Sequence, residues 1–241
     1  MNASLARFFR ALPSPVQGFI RSLIEIWPGV LTYHQDGLAT RHSSDFLAEA
    51  RFRRAYAAGA ATKSWGEVDV QWRAYVCCWA ASHAARLEGD FVECGVNRGA
   101  NARAIVDYLD FARLPKTFYL LDLFADSDPS GSGDDLYEDV IRTFRDFPNV
   151  RLVRGRIPGT LPMVTPAKVC FLAIDMNDAG PEIAAAEHFW DILVPGAIIV
   201  LDDYGDRLFW RQKVAFDHFA QRVGVEVLSL PTGQGLILKP G

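Results

Sequence analysis

The chain has 241 residues, of which 50% are hydrophobic, enough to bury one large core with an appendage and too apolar for a disordered or fibrous polypeptide. A formal net charge of -4 and a pI near 5.7 exclude the concentrated basic face that nucleic-acid binding requires, so small molecules are the expected partners. No apolar run reaches the roughly 18 residues of a membrane span, and Pro13 and Pro15 interrupt "LARFFRALPSPVQGF" before a signal-peptide core forms, so a soluble cytoplasmic protein without stable membrane insertion is expected.

In chain order, "ARFFRALPSPVQGFIRSLIEIW" combines arginines with a greasy face, and a partner subunit is its expected neighbour, giving a homo-oligomer through the N-terminal helices. Next, "SDFLAEARFRRAYAAGA" spaces Phe46, Leu47, Ala50 and Tyr56 as one helix face, with Ser44 or Asp45 as the cap. A longer apolar-faced helix follows in "VQWRAYVCCWAASHAARL". Residues 1–87 are therefore expected to form a helical extension or lid, and residues 88–241 the ligand-binding domain.

From residue 88 the character changes. Apolar runs at "DFVECG", "TFYLLDLF", "VRLVRG", "VCFLAID" and "AIIVLDD" alternate with helix-like stretches at "GANARAIVDYL", "DLYEDVIRTFRDF" and "IAAAEHFWDIL". Strands that are apolar at nearly every position suit parallel pairing with both faces covered, and the alternation implies crossover helices. A final pair, "VEVLSL" and "GQGLILK", joined by "PTG", reads as a terminal hairpin-like unit. The expected fold is α/β: a doubly wound, seven-stranded, mostly parallel sheet of Rossmann-like type with an N-terminal helical extension.

Such sheets bind ligands beyond the carboxyl ends of their strands, where the winding reverses. In "ECGVNRGAN", Gly95 lets backbone approach a ligand, while Gly99 and Ala100 keep the next helix near the sheet. The wider glycine spacing departs from GxGxxG, so a dinucleotide is not expected. Asp122, ending "YLLD", is placed to accept hydrogen bonds from two ribose hydroxyls. A glycine turn after the first strand and an acid after the second describe a nucleoside pocket without a diphosphate clamp, which fits S-adenosylmethionine better than NAD, with Glu93 facing the amino group or cation of its methionine portion. "LAIDMND" ends at Asp175, and "IVLDDYG" brings Asp202 and Asp203 to the same edge; three carboxylates there suit a hard cation, most simply Mg2+.

With these residues in place the sequence resembles the macrocin O-methyltransferase family, metal-dependent class I methyltransferases acting on sugar hydroxyls of antibiotics and on related glycosidic groups. The resemblance runs from "DGLATRHSSDFLAEARFRRAYAAG" to "LPTGQGLILKP" and is carried by "FVECGVNRG", "GTLP", the acid after the fourth strand, "VLDDYG" and "TGQGLI". It implies that Asp175, Asp202 and Asp203 hold a divalent metal, that Asp175 also serves as catalytic base, and that Glu93, Gly95 and Asp122 lie in the cofactor site. It departs from the family where Asn177, Asp178, Ala179 and Gly180 replace the usual second acid with its tyrosine and glutamate, and again in "FADSDPSGSGDD".

The implied activity is Mg2+-dependent O-methylation of a hydroxyl on a sugar or glycosylated natural product; a catechol-type phenolic methyltransferase and a non-catalytic S-adenosylmethionine-binding protein are the alternatives. Tyr204 and Trp210 suit either an acceptor cleft or packing, and His42 a lid over the cofactor edge. His188 and His218 read as packed or surface histidines on helices. Cys77, Cys78, Cys94 and Cys170 have neither zinc nor redox spacing and read as reduced core residues.

Overall fold

The computed structural model describes residues 13, 15–16, 31–125 and 133–241. The helix expected at "ARFFRALPSPVQGFIRSLIEIW", with the oligomer contact assigned to it, and most of "FADSDPSGSGDD" lie outside the described residues. The chain divides into two compact units, Met1–Ser44 and Asp45–Gly241.

In the first unit, a stretch read as helical contains a small antiparallel hairpin of β1 (Tyr33–Gln35) and β2 (Leu38–Thr40), with Tyr33 opposite Thr40. The reason lies in the two residues between them. Asp36 and Gly37 both take positive φ, 51° and 71°, which is the type I′ geometry that an Asp-Gly pair favours over helix.

The second unit opens on a helical turn, Asp45–Ala48, followed by α1 (Ala50–Ala60) and α2 (Gln71–Ala84). The single helix expected from "SDFLAEARFRRAYAAGA" is thus two pieces. Glu49, extended at φ -66° and ψ 125°, separates them and is the N-cap residue of α1, displacing Ser44 and Asp45 from that role. The expected apolar face survives the break only in part: Phe46 stacks on Tyr75 with ring centroids 4.0 Å apart, whereas Ala50 is exposed.

The sheet follows the alternation of the sequence: β3 (Asp90–Cys94), α3 (Ala100–Leu109), β4 (Phe118–Asp122), α4 (Gly133–Phe144), β5 (Val150–Arg154), β6 (Val169–Ile174), α5 (Ala179–Trp190), β7 (Leu193–Leu201), α6 (Trp210–Val223), β8 (Leu228–Ser229) and β9 (Gly235–Leu238). Its seven strands lie in the order β5-β4-β3-β6-β7-β9-β8 and all run in one direction except β9, which pairs antiparallel with both β7 and β8. This is the expected doubly wound, mostly parallel sheet.

Strand alternation divides the core into two layers. Phe91, Leu120, Phe171, Ile198 and Val200 point to the face covered by α2, α3 and α4, while Val92, Leu121, Leu172, Ile199 and Leu201 point to the face covered by α5 and α6. Phe91 packs against Phe111, Phe118 and Phe171 at centroid distances of 5.1, 5.6 and 5.1 Å, and each such fully buried ring contributes roughly 1.5–3 kcal/mol. Cys77, Cys78, Cys94 and Cys170 are all free and buried, Cys77 and Cys170 in the first layer and Cys94 in the second.

The winding reverses between β3 and β6, because the chain builds outward from β3 to β5 and then returns to β6 on the other side. That crevice, at the carboxyl ends of two neighbouring parallel strands, is where a doubly wound sheet opens to a ligand.

Candidate active site at the sheet switch point

Two adjoining cavities occupy this crevice. The larger, about 420 Å³, is lined by Asp122, Leu123, Leu136, Ile157, Met176 and Asn177 among others. The smaller, about 110 Å³, is lined by Ser64, Trp65, Arg73, Glu93, Asn101 and Asp202 among others. Gly95, Asn97 and Asp175 line both, so β3 and β6 form the partition between them.

Glycine at position 95 is required by the chain itself. Gly95 has φ +88°, and a Cβ there would lie 1.7 Å from the Asp175 carbonyl oxygen. The ladder continues past the strands through Gly95 N–H to Leu121 O at 2.9 Å, tying the end of β3 to β4, and Asp175 N–H to Cys94 O at 2.8 Å, tying the end of β6 to β3. The close approach expected at Gly95 is therefore to the backbone of Asp175.

Asp122 holds the turn that follows. Its Oδ2 accepts the amides of Val96 at 2.6 Å and Asn97 at 2.8 Å, and its Oδ1 accepts the amide of Phe124 at 2.8 Å. A carboxylate offers about four acceptor directions, so these bonds leave roughly one for a hydroxyl rather than the two expected for a ribose pair. Two amides of a non-helical turn that would otherwise need water are thus bound to one oxygen.

Glu93 lies on the same strand parity as Phe91, which turns it toward α2 and α3 and into the smaller cavity. It is 2% exposed, and its Oε2 has no hydrogen-bond partner among the described residues. Burial, followed by the nearby charges of Asp202 and Asp122, raises its pKa well above the ordinary carboxylate range. The neutral form of Glu93 is therefore favoured, and a positive charge in the cavity would reverse that preference.

Asp175, Asp202 and Asp203 converge as expected from the strand ends, each offering an oxygen within 4.8 Å of the others. Burial, then Asp202, Asp203 and Glu93, pushes the Asp175 carboxyl well upward; Asp203 is pushed up to about 6, mainly by burial and then by Asp202. Mutual repulsion of this kind is what a hard dication relieves, and an all-oxygen donor set of three carboxylates fits Mg2+.

Three residues not anticipated from the sequence hold this edge together. Arg73, in the first turn of α2, donates from Nη1 to Asp202 Oδ2 at 2.9 Å and to Asp203 Oδ1 at 3.2 Å. Gln234, fully buried just before β9, donates from Nε2 to Asp202 Oδ1 at 3.0 Å. Glu182 of α5 accepts the amide of Met176 at 3.0 Å and the Nε2 of Gln212 at 2.8 Å, fixing the loop after Asp175; burial lifts its pKa to about 7.

Among the other candidates, Tyr204 is 5% exposed and hydrogen-bonded through its hydroxyl to Asp217 and Lys213, so it is a packing residue. Trp210 is 58% exposed. His188 and His218 are surface residues of α5 and α6, and His42 belongs to the first unit.

Residues 92–204 match the model of a methyltransferase domain, a span that includes Glu93, Gly95, Asp122, Asp175, Asp202 and Asp203. No curated protein matches the chain significantly. Among solved structures, the O-methyltransferase NovP is similar with a TM-score of 0.57 at 20% identity, over 70% of this chain and 80% of NovP. CalS11, a TDP-rhamnose 3'-O-methyltransferase of calicheamicin biosynthesis, gives 0.54 at 14% identity over 83% of this chain and 96% of its own. An O-methyltransferase from Bacillus cereus in complex with SAH gives 0.51 at 11% identity, over 92% and 97%. At these identities the likeness is one of fold, and the fold is that of class I methyltransferases.

Proposed function

We propose that this chain is an S-adenosylmethionine-dependent, Mg2+-dependent O-methyltransferase acting on a hydroxyl of a sugar or glycosylated natural product, similar to the macrocin O-methyltransferases. The observation that carries the reading is the continuity of the crevice: a clamped turn and a nucleoside-sized cavity on one side of Gly95, and a buried acid with one unpartnered oxygen beside three converging carboxylates on the other.

In this reading the larger cavity takes the adenosine and the smaller one the methionine portion. Asp122 orders the turn and offers its remaining acceptor direction to a ribose hydroxyl. Glu93 Oε2 accepts from the methionine ammonium, a charge-assisted bond that satisfies a buried oxygen and outweighs a neutral one roughly twofold. Asp175, Asp202 and Asp203 hold the cation.

When bound, S-adenosylmethionine supplies the methyl group on a good leaving group, and Mg2+ supplies the Lewis acidity that lowers the pKa of a poorly nucleophilic alcohol and orients it. Asp175 lies at the partition of the two cavities, where its carboxylate takes the proton released from the acceptor hydroxyl. Gly95 and Asn97 line both sides of this partition, so the turn after β3 borders the transfer together with Asp175. Holding the reacting atoms in line contributes several kcal/mol by itself, about 7 or more in favourable cases. No covalent intermediate on the protein is required.

The acceptor meets the face built after Asp203. Leu208 and Trp210, 84% and 58% exposed, project from the turn and helix start that follow the acid pair, and an aromatic ring of this kind suits the apolar face of a sugar. A relative of the fold methylates TDP-rhamnose, which makes nucleotide sugars and glycosides the first acceptors to try. The test is calorimetric titration with S-adenosylmethionine and its demethylated product, followed by a mass-spectrometric screen of sugar nucleotides, glycosides and catechols with Mg2+ present. Micromolar cofactor binding and a +14 Da product from a sugar acceptor are expected. Absence of cofactor binding overturns the reading, and methylation of catechols alone transfers it to the phenolic class.

A further inference from the structure

We propose that Arg73 is a resident counter-cation of the acidic edge, competing with the divalent ion for Asp202 and Asp203 and thereby setting how tightly the metal binds. The inference rests on the assignment of Asp175, Asp202 and Asp203 as metal ligands.

The geometry places one nitrogen, Nη1, on a carboxylate oxygen of each neighbour, at 2.9 and 3.2 Å. The three side chains are 21%, 14% and 12% exposed, so solvent screens the contact poorly, unlike a surface ion pair. Asp202 has both oxygens engaged: Oδ1 by Gln234 and Oδ2 by Arg73. Gln234 contributes a neutral hydrogen bond that can persist beside a metal. Arg73 contributes a full positive charge on the two carboxylates that a dication needs.

The position in the fold supports exchange rather than permanent pairing. Arg73 lies in the first turn of α2 and lines the smaller cavity with Glu93 and Asp175, so its guanidinium borders open space and two further acids. When the cation takes the acid pair in the absence of S-adenosylmethionine, the guanidinium has that cavity to move into. Metal-free protein is held together by the arginine, and metal-loaded protein by the ion.

The test is binding of Mn2+ alone to the whole chain, followed by electron paramagnetic resonance of the free ion, with thermal melting as a second readout. Arg73→Met should bind Mn2+ at least about tenfold more tightly than wild type, because a unit charge within a few Å of a dication is removed. Arg73→Lys, which retains the charge, should return the affinity to within about threefold of wild type. Without metal, Arg73→Met should melt below wild type, and saturating Mn2+ should raise its melting temperature by more than that of wild type. Should Arg73→Met fail to fold, Arg73→Gln carries the same expectation for affinity. A structural tie alone predicts the opposite sign: weaker Mn2+ binding in the neutral variants, or unchanged binding, would overturn the proposal while leaving the metal site intact, provided Asp203→Asn abolishes binding. No Mn2+ binding in wild type or any arginine variant would sink the metal site and this inference together.

Discussion

Asp122 and Asn97, 25 residues apart, are joined by a 2.8 Å bond from the Asn97 amide to a carboxylate oxygen that also accepts the amide of Val96. The acid at the end of β4 therefore shapes the turn at the end of β3 before any ligand arrives. Asp122→Ala should weaken S-adenosylmethionine by about 1.5–3 kcal/mol, through loss of the ordered turn as much as of a direct contact. Asp122→Asn keeps an acceptor and should lose less. Calorimetry with the demethylated product distinguishes them; equal affinity in all three proteins would remove Asp122 from the cofactor site.

Gly95→Ala should be among the most disruptive single-methyl changes in the chain. It combines a φ of +88° with a Cβ that would penetrate the Asp175 carbonyl, so the strand ends must separate. A loss of about 3 kcal/mol or more in urea denaturation is expected, together with weakened cofactor binding. A stable variant with wild-type affinity would contradict the tight contact between β3 and β6.

For the metal, removing one of three carboxylates leaves a site that Mg2+ fills only by retaining more water. Asp175→Asn should reduce turnover by about 100-fold or more, since ligand charge and base are lost together, with cofactor affinity changed much less. Chelation by EDTA should stop turnover, and added Mg2+ should restore it. Full activity of the chelated protein on a working acceptor would take the metal out of the reaction.

Glu182 gives the clearest pH dependence. Burial raises its pKa from 4.5 to about 7, so between those values the folded chain keeps a proton that the unfolded chain has released. Stability must then fall as pH rises through that window, the reverse of a salt-bridged acid, by up to about 3 kcal/mol at about 1.36 kcal/mol per unit. Glu182→Gln removes the titration. Its stability relative to wild type should rise from pH 4.5 to 7 and level off above, measured by denaturation at a series of pH values; a flat difference would place the shift elsewhere.

The sheet was legible because its strands are apolar on both faces, and the acids were legible because they end those strands. Short-range chemistry hid the rest. Asp36-Gly37 carried a hairpin signal within a region otherwise helical in pattern, and Glu49 interrupts a periodicity that continues on both sides of it. Arg73 and Gln234 were harder, because each reaches Asp202 from a remote segment, 129 and 32 residues away, and no local pattern encodes such a meeting. Repulsion among the acids demanded some compensating group, but only the fold names it. Asp122 was located correctly at the carboxyl end of its strand, while its bonds to the turn depend on a register between β3 and β4 that spacing alone does not supply.

The antiparallel entry of β9 has a consequence for biosynthesis. A parallel strand would bring its end to the acidic edge, but β9 brings its beginning, so Gln234 arrives beside Asp202 as soon as the last strand docks against β7. Translation delivers Arg73 first, the acid pair later and Gln234 last. On the ribosome the arginine is thus the first restraint available to the new carboxylates, and the glutamine bond forms only when the sheet is closed. Asp202 therefore gains its full set of bonds only once β9 has docked beside β7.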